Sequence, residues 1–177
     1  MRKWKKLFDI LNTLKTILKI NTCGESMQKL EKLMSTVPEV NINFDHLMPK
    51  SLKGLYYDEN IKLNTRNNYY QNVEVLAEEI GHYKTSVGHI HDYSKIINMK
   101  QEHVARRYAI KLVMPLEKLI ECYEQGIWGD KFEVCEYLEI TTNFFDTAIE
   151  DYKKKFGFYV KYSGYYINFL DLKISKL

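Results

Sequence analysis

Between Val40 and Leu63 the apolar residues of this chain change their spacing, and that change constrains the fold more than any other feature. Met27, Leu30, Leu33 and Met34 recur at helical intervals until Pro38, which denies the preceding residue an easy helical conformation. Val40, Ile42 and Phe44 then alternate with polar residues, the period of a strand. Gly54-Leu-Tyr-Tyr, the turn Asp58-Glu59-Asn60 and Ile61-Lys-Leu63 follow as a hairpin. Tyr69, Val73, Leu76, Ala77 and Ile80 restore the helical period from about Asn68 to Lys84. The expectation is an α+β fold, mostly helical, with a small antiparallel sheet ahead of one long helix.

Beyond that helix, Thr85 to Asn98 reads as a looser segment, and Val104, Tyr108, Ala109, Leu112 and Val113 define a helix ending near Met114-Pro115. Leu116 to Glu121 reads as a short helical turn before the Gly126 to Gly129 break. Helices are expected over Lys131 to Leu138 and Thr142 to Phe156, with Thr141 as the N-cap of the second. Phe158 to Ile174, turning at Ser163-Gly164, reads as a terminal hairpin.

At 177 residues the chain suits a single unit with its own core. We expect a domain over residues 27–177, preceded by a basic amphipathic extension over 1–26, with Met27 as an alternative start. Within Met1 to Ile20, Leu7, Leu11, Leu14 and Leu18, joined by Phe8, Ile10 and Ile17, form an apolar stripe opposite lysines. That stripe packs on the domain, on a partner subunit or on a membrane surface. The segment carries a net +5, so in a chain of net +3 the remainder is −2. A near-neutral body lacks the field of a dedicated nucleic-acid binder. Cys23, Cys122 and Cys135 are odd in number and in no C-x-x-C spacing, which favours a reducing, cytoplasmic compartment. No apolar run reaches the roughly 20 residues of a membrane span.

The chemistry concentrates on the long helix. Glu78 and His82 are four residues apart, so they share one face about 6 Å from each other, while Glu79 is rotated to one side. Two side chains so placed can grip one cation, and the offset carboxylate is free to act as a base. Taken alone, E-E-x-x-H also fits surface charges followed by a histidine that complements the helix C-terminus.

The tract LAEEIGHY followed by QEHVARRYAIKLVMP, Gln101 to Pro115, resembles the ImmA/IrrE family of metallopeptidases. Glu102, Ala105, Tyr108, Ala109, Leu112, Met114 and Pro115 fall in register with the family's second helix, and KGLYYDENIKLN is similar to its strand pair. The likeness covers roughly Met27 to Phe156. It implies a zincin-like fold in which His82 and Glu102 are metal ligands and Glu79 is the general base toward the bound water. Glu78 stands where the family's H-E-x-x-H has its first histidine. A carboxylate is a legitimate zinc ligand, but a second anionic ligand nearly cancels Zn²⁺ and shifts preference toward harder ions such as Mn²⁺. His89, His91 and His103 are candidate substitute ligands, each with a solvated or packing role as the alternative. Arg106 and Arg107 either bind substrate backbone or pair with acids.

The resemblance implies an endopeptidase whose substrate is a helix-turn-helix repressor of a phage or integrative element. The competing expectation is a pseudo-peptidase that lost its metal and acts as a regulator-binding module. The helix pair after Lys131 superficially suggests a helix-turn-helix of its own. Asp146, Glu150 and Asp151 on its second helix would repel phosphate, so we expect it to pack on the core rather than contact nucleic acid.

Overall fold

The computed structural model describes residues 29–85 and 95–177, and within the second stretch the side chains from residue 100 onward. The basic segment 1–26, Met27, His89 and His91 therefore lie outside the described residues. The chain is helical at 29–35 (α1) and continues through β1 (Asn41–Asp45), β2 (Gly54–Tyr57), β3 (Asn60–Asn64), α2 (Tyr69–Thr85), α3 (Lys95–Val113) and α4 (Leu116–Glu124). It ends with α5 (Lys131–Leu138), α6 (Thr142–Phe156), β4 (Tyr159–Tyr162), β5 (Tyr165–Asn168) and β6 (Lys173–Lys176). The fold is α+β, as the two periods imply.

The first sheet has the order β1-β3-β2. β2 and β3 form the expected antiparallel hairpin, and its turn places Asp58 and Glu59 at φ 45° and 60°, the twist that suits a two-residue connection. β1 adds to the far side of β3 in parallel, Asn41 opposite Asn60 through Asp45 opposite Asn64, so the sheet is mixed. Alternation of apolar residues says which face is buried but nothing about direction, which is set by the 46–53 connection. That connection is organised by Asn64, a buried polar side chain. Its amide donates to the carbonyls of Pro49 (3.0 Å) and Leu52 (2.8 Å), and its Oδ1 accepts from the Arg66 amide (3.1 Å).

α2 buries Val73, Leu76, Ala77 and Ile80, packing on β2 and β3 as well as on α3. Its C-terminal half lies against α3 so closely that a Cβ added at Gly81 would sit 2.4 Å from the carbonyl oxygen of Ala105. Only glycine allows that approach. Pro115 separates α3 from α4, and the buried Tyr152 hydroxyl donates to the Met114 carbonyl (2.6 Å), satisfying an acceptor the helix end leaves free. Thr141 caps α6 as expected, its Oγ1 accepting from the Phe144 amide at 3.2 Å.

The terminal hairpin β4–β5 turns at Ser163 and Gly164, and a third strand, β6, adds antiparallel to β5. Tyr162 and Tyr165 fasten this sheet to α4 by donating to Glu117 and Glu124. Beneath it Phe169 is fully buried and stacks on Tyr152 and Phe156 (centroids 5.5 and 6.4 Å). One buried apolar cluster runs from Leu33 to Ile174.

Candidate functional site

The polar side of α2 changes duty along its length. In the first half Tyr69 donates to Glu139, and Glu74 accepts from the Thr141 amide, tying the helix to the α5–α6 connection. The second half presents Glu78, Glu79 and His82 toward α3 and β2.

Two cross-helix contacts define the geometry. Glu78 Oε1 lies 3.3 Å from Arg106 Nε, and His82 Nε2 lies 3.6 Å from Glu102 Oε1. Earlier residues of α2 meet later residues of α3, so the helices run antiparallel and the contacts form two rungs, spaced by one helical turn, about 6 Å. Gly81 and Ala105 lie on the seam beside them. The His82 side chain is 19% exposed and that of Glu102 57%, so the second rung opens to solvent on the α3 side.

Glu79 occupies different surroundings. It lies against β2, where a Cβ at Gly54 would come within 2.8 Å of its Oε1 and 2.3 Å of Val75 Cγ1, so the glycine makes room for both. Burial pushes its carboxyl up to about 7, with the negative charges of Glu78 and Glu102 acting in the same direction and a hydrogen bond from the Tyr56 amide opposing them. A half-buried carboxyl beside a strand edge and two further acids thus holds its proton more tightly than an ordinary carboxyl and can exchange it near neutral pH.

A metal ion is implied by this kind of motif, and the donors can be tested against it. Tetrahedral Zn²⁺ with bonds near 2.0–2.1 Å spaces its ligands about 3.3 Å apart. The His82–Glu102 separation of 3.6 Å fits two adjacent positions of such a shell, with an imidazole nitrogen and a carboxylate oxygen as chemically suitable donors. Among the described residues no cluster of three metal-ligating side chains forms. Glu78, the expected further ligand, is 31% exposed and directed at Arg106. The donor set thus fits in two positions, with Glu78 one rung away.

The remaining predicted residues are placed as follows. His103 lies on another side of α3 from Glu102, its Nε2 3.9 Å from Asp151 of α6, and so is not gathered with His82. His89 and His91 lie outside the described residues. Arg107 donates from Nε to Asp151 Oδ1 (2.9 Å), which leaves Asp151 only 11% exposed and turns that face of α6 to the core. Both arginines therefore pair with acids. Sequence reading missed the contribution of Gly54; its only signal was a glycine opening a strand, a common mark of close backbone approach.

A peptidase family model, the IrrE N-terminal-like domain, matches residues 36–150, well over half of the chain and spanning both rungs. Among curated proteins none matches the chain.

Proposed function

The chain belongs to the IrrE N-terminal-like family of peptidases, and from that membership we propose that it is a metal-dependent endopeptidase acting on a protein substrate. The observation that carries the proposal is the juxtaposition of His82 and Glu102 across the α2–α3 seam, with Glu79 half-buried beside them.

In this reading His82 and Glu102 hold a divalent ion, Zn²⁺ or Mn²⁺, with Glu78 as the further ligand. When bound, such an ion supplies Lewis-acid polarisation of a scissile carbonyl and lowers the pKa of water. Glu79 accepts the proton of the attacking water and returns it to the departing amide nitrogen. The Tyr56 amide and the space left by Gly54 hold its carboxylate in place. β2 lies at the edge of its sheet. An extended peptide added to that edge would run beside Glu79, a common mode of peptide recognition.

The substrate we propose is a helix-turn-helix repressor of a phage or integrative element. The proposed compartment is the cytoplasm, where free thiols such as Cys122 and Cys135 stay reduced. Among the described residues no helix is long and apolar enough to cross a membrane.

The test is metal content after chelator-free purification, followed by titration with Zn²⁺ and Mn²⁺ and a cleavage assay on a helix-turn-helix repressor. Glu79→Gln is expected to keep the ion and lose cleavage, whereas His82→Ala loses both. Normal cleavage by Glu79→Gln would overturn the assignment of the base. One observation favours the second reading, a regulator-binding pseudo-peptidase: Glu78 already has a cation, Arg106. Failure to bind either ion would support that reading.

A further inference from the structure

We infer that Arg106 and the metal ion compete for Glu78, so that Arg106 sets the affinity of the site. This rests on the metal-centre reading of His82 and Glu102 and goes beyond it by giving a role to a residue outside the ligand set. The physical basis is the ladder between α2 and α3. Glu102 and Arg106 are four residues apart on α3, as Glu78 and His82 are on α2, and the two pairs face each other. Where an imidazole would need no counter-charge, Glu78 adds a negative charge near Glu79 and Glu102, and Arg106 supplies the compensating cation one turn from Glu102.

The same carboxylate cannot serve both partners without cost. To complete a shell with His82 and Glu102, Glu78 must turn along the helix face toward the second rung and give up its contact at 3.3 Å. The guanidinium left behind then stands within a turn of a dication and repels it. Both effects weaken binding while Arg106 is present. Because Glu78 and Arg106 are partly exposed, the pair is an easily broken one, and an exchange between its two partners needs no rearrangement of the core.

The experiment is a double-mutant cycle read by competition with a chromophoric chelator, using the full chain, Zn²⁺ and Mn²⁺. An exposed pair of this kind is worth up to about fivefold in an equilibrium constant, so Arg106→Gln is expected to tighten binding about threefold to fivefold. Glu78→Gln weakens binding, and in that background Arg106→Gln has less than about twofold effect, because the competition is gone and only the screened repulsion of the ion by the guanidinium remains. Raising the salt concentration narrows the gap between wild type and Arg106→Gln by screening the pair. Thermal unfolding of the metal-free variants checks that each is folded.

Weaker or unchanged binding by Arg106→Gln would overturn the inference, as would an equal tightening with and without Glu78, which would show only a general field. If the wild type and every variant bind neither ion, the metal-centre reading falls and this inference with it. If the ions bind but the cycle shows no coupling, the reading stands and the inference alone falls.

Discussion

Gly81→Ala sets two opposing effects against each other at the seam. Helix propensity alone favours alanine by about 1 kcal/mol. The added Cβ, however, would meet Ala105 at 2.4 Å from its carbonyl oxygen and 3.0 Å from its carbonyl carbon and Cα. These are backbone atoms and cannot rotate aside. Ordinary C···O contact begins near about 3.3 Å, so the helices must part locally by roughly 1 Å. Overpacking of a tight interior costs about 1–3 kcal/mol, and α3 cannot yield freely because Ala109, Ile110 and Val113 bury its other contacts. With the propensity gain subtracted, the expected net result is a loss of up to about 2 kcal/mol in urea unfolding, with an unchanged denaturant slope. The same displacement lies beside the second rung. A His82–Glu102 separation of 3.6 Å would open to about 4.6 Å, too wide for two ligands of one tetrahedral ion, so Zn²⁺ affinity falls with stability. A variant about 1 kcal/mol more stable than wild type would mean that propensity acts unopposed, which refutes the close approach. A destabilised variant with unaltered affinity would refute the link between seam and site.

Gly54→Ala should preserve the fold, at some cost in stability, while displacing Glu79, so far-UV circular dichroism stays native as cleavage falls. The metal-free protein should lose stability as pH rises from about 4.5 to about 7, because folding raises the Glu79 pKa and the folded state holds that proton more tightly. Glu79→Gln should remove this slope, stabilising the chelated protein at pH 8 by about 2–3 kcal/mol but not at pH 4, as measured by urea denaturation. Arg107→Met should cost more than Arg106→Met in the same assay, about 2–4 against less than 1 kcal/mol. The reason is that Asp151, at 11% exposure, loses its hydrogen-bonded guanidinium and keeps only His103 at 3.9 Å, while Glu78, at 31%, can turn to water. Thr141→Ala should cost about 1 kcal/mol of thermal stability through loss of the α6 cap.

What the sequence revealed was local in origin. The Asp58–Glu59 turn, the Thr141 cap, the α3–α4 break at Pro115 and the limits of α2, α5 and α6 each depend on residues within a few positions of one another. The start of α3 at Lys95 escaped notice because its first turns carry no clean apolar stripe. β6 escaped because Lys173 to Lys176 offers a single buried apolar residue, Ile174, too little to show a period. The parallel docking of β1 depends on the chain's path through residues 46–53, which periodicity does not encode. At the site, the shared face of Glu78 and His82 and the position of Glu102 were legible from helical spacing and from the family likeness. The partner of Glu78 was not, since only the antiparallel alignment of α2 with α3 determines that position 78 meets position 106.

The aromatic stack beneath the terminal sheet has a consequence for where this protein can be cut. The match to the family model stops at residue 150, in the middle of α6. Tyr152, Phe156 and Phe169 all lie past that point, yet the first and last are buried, at 4% and 1% exposure. A fragment trimmed to the matched stretch would lack one wall of its own interior and expose an oily face to water. The matched stretch and the folded unit thus have different ends, and any excised or fused version should keep the chain through Ile174.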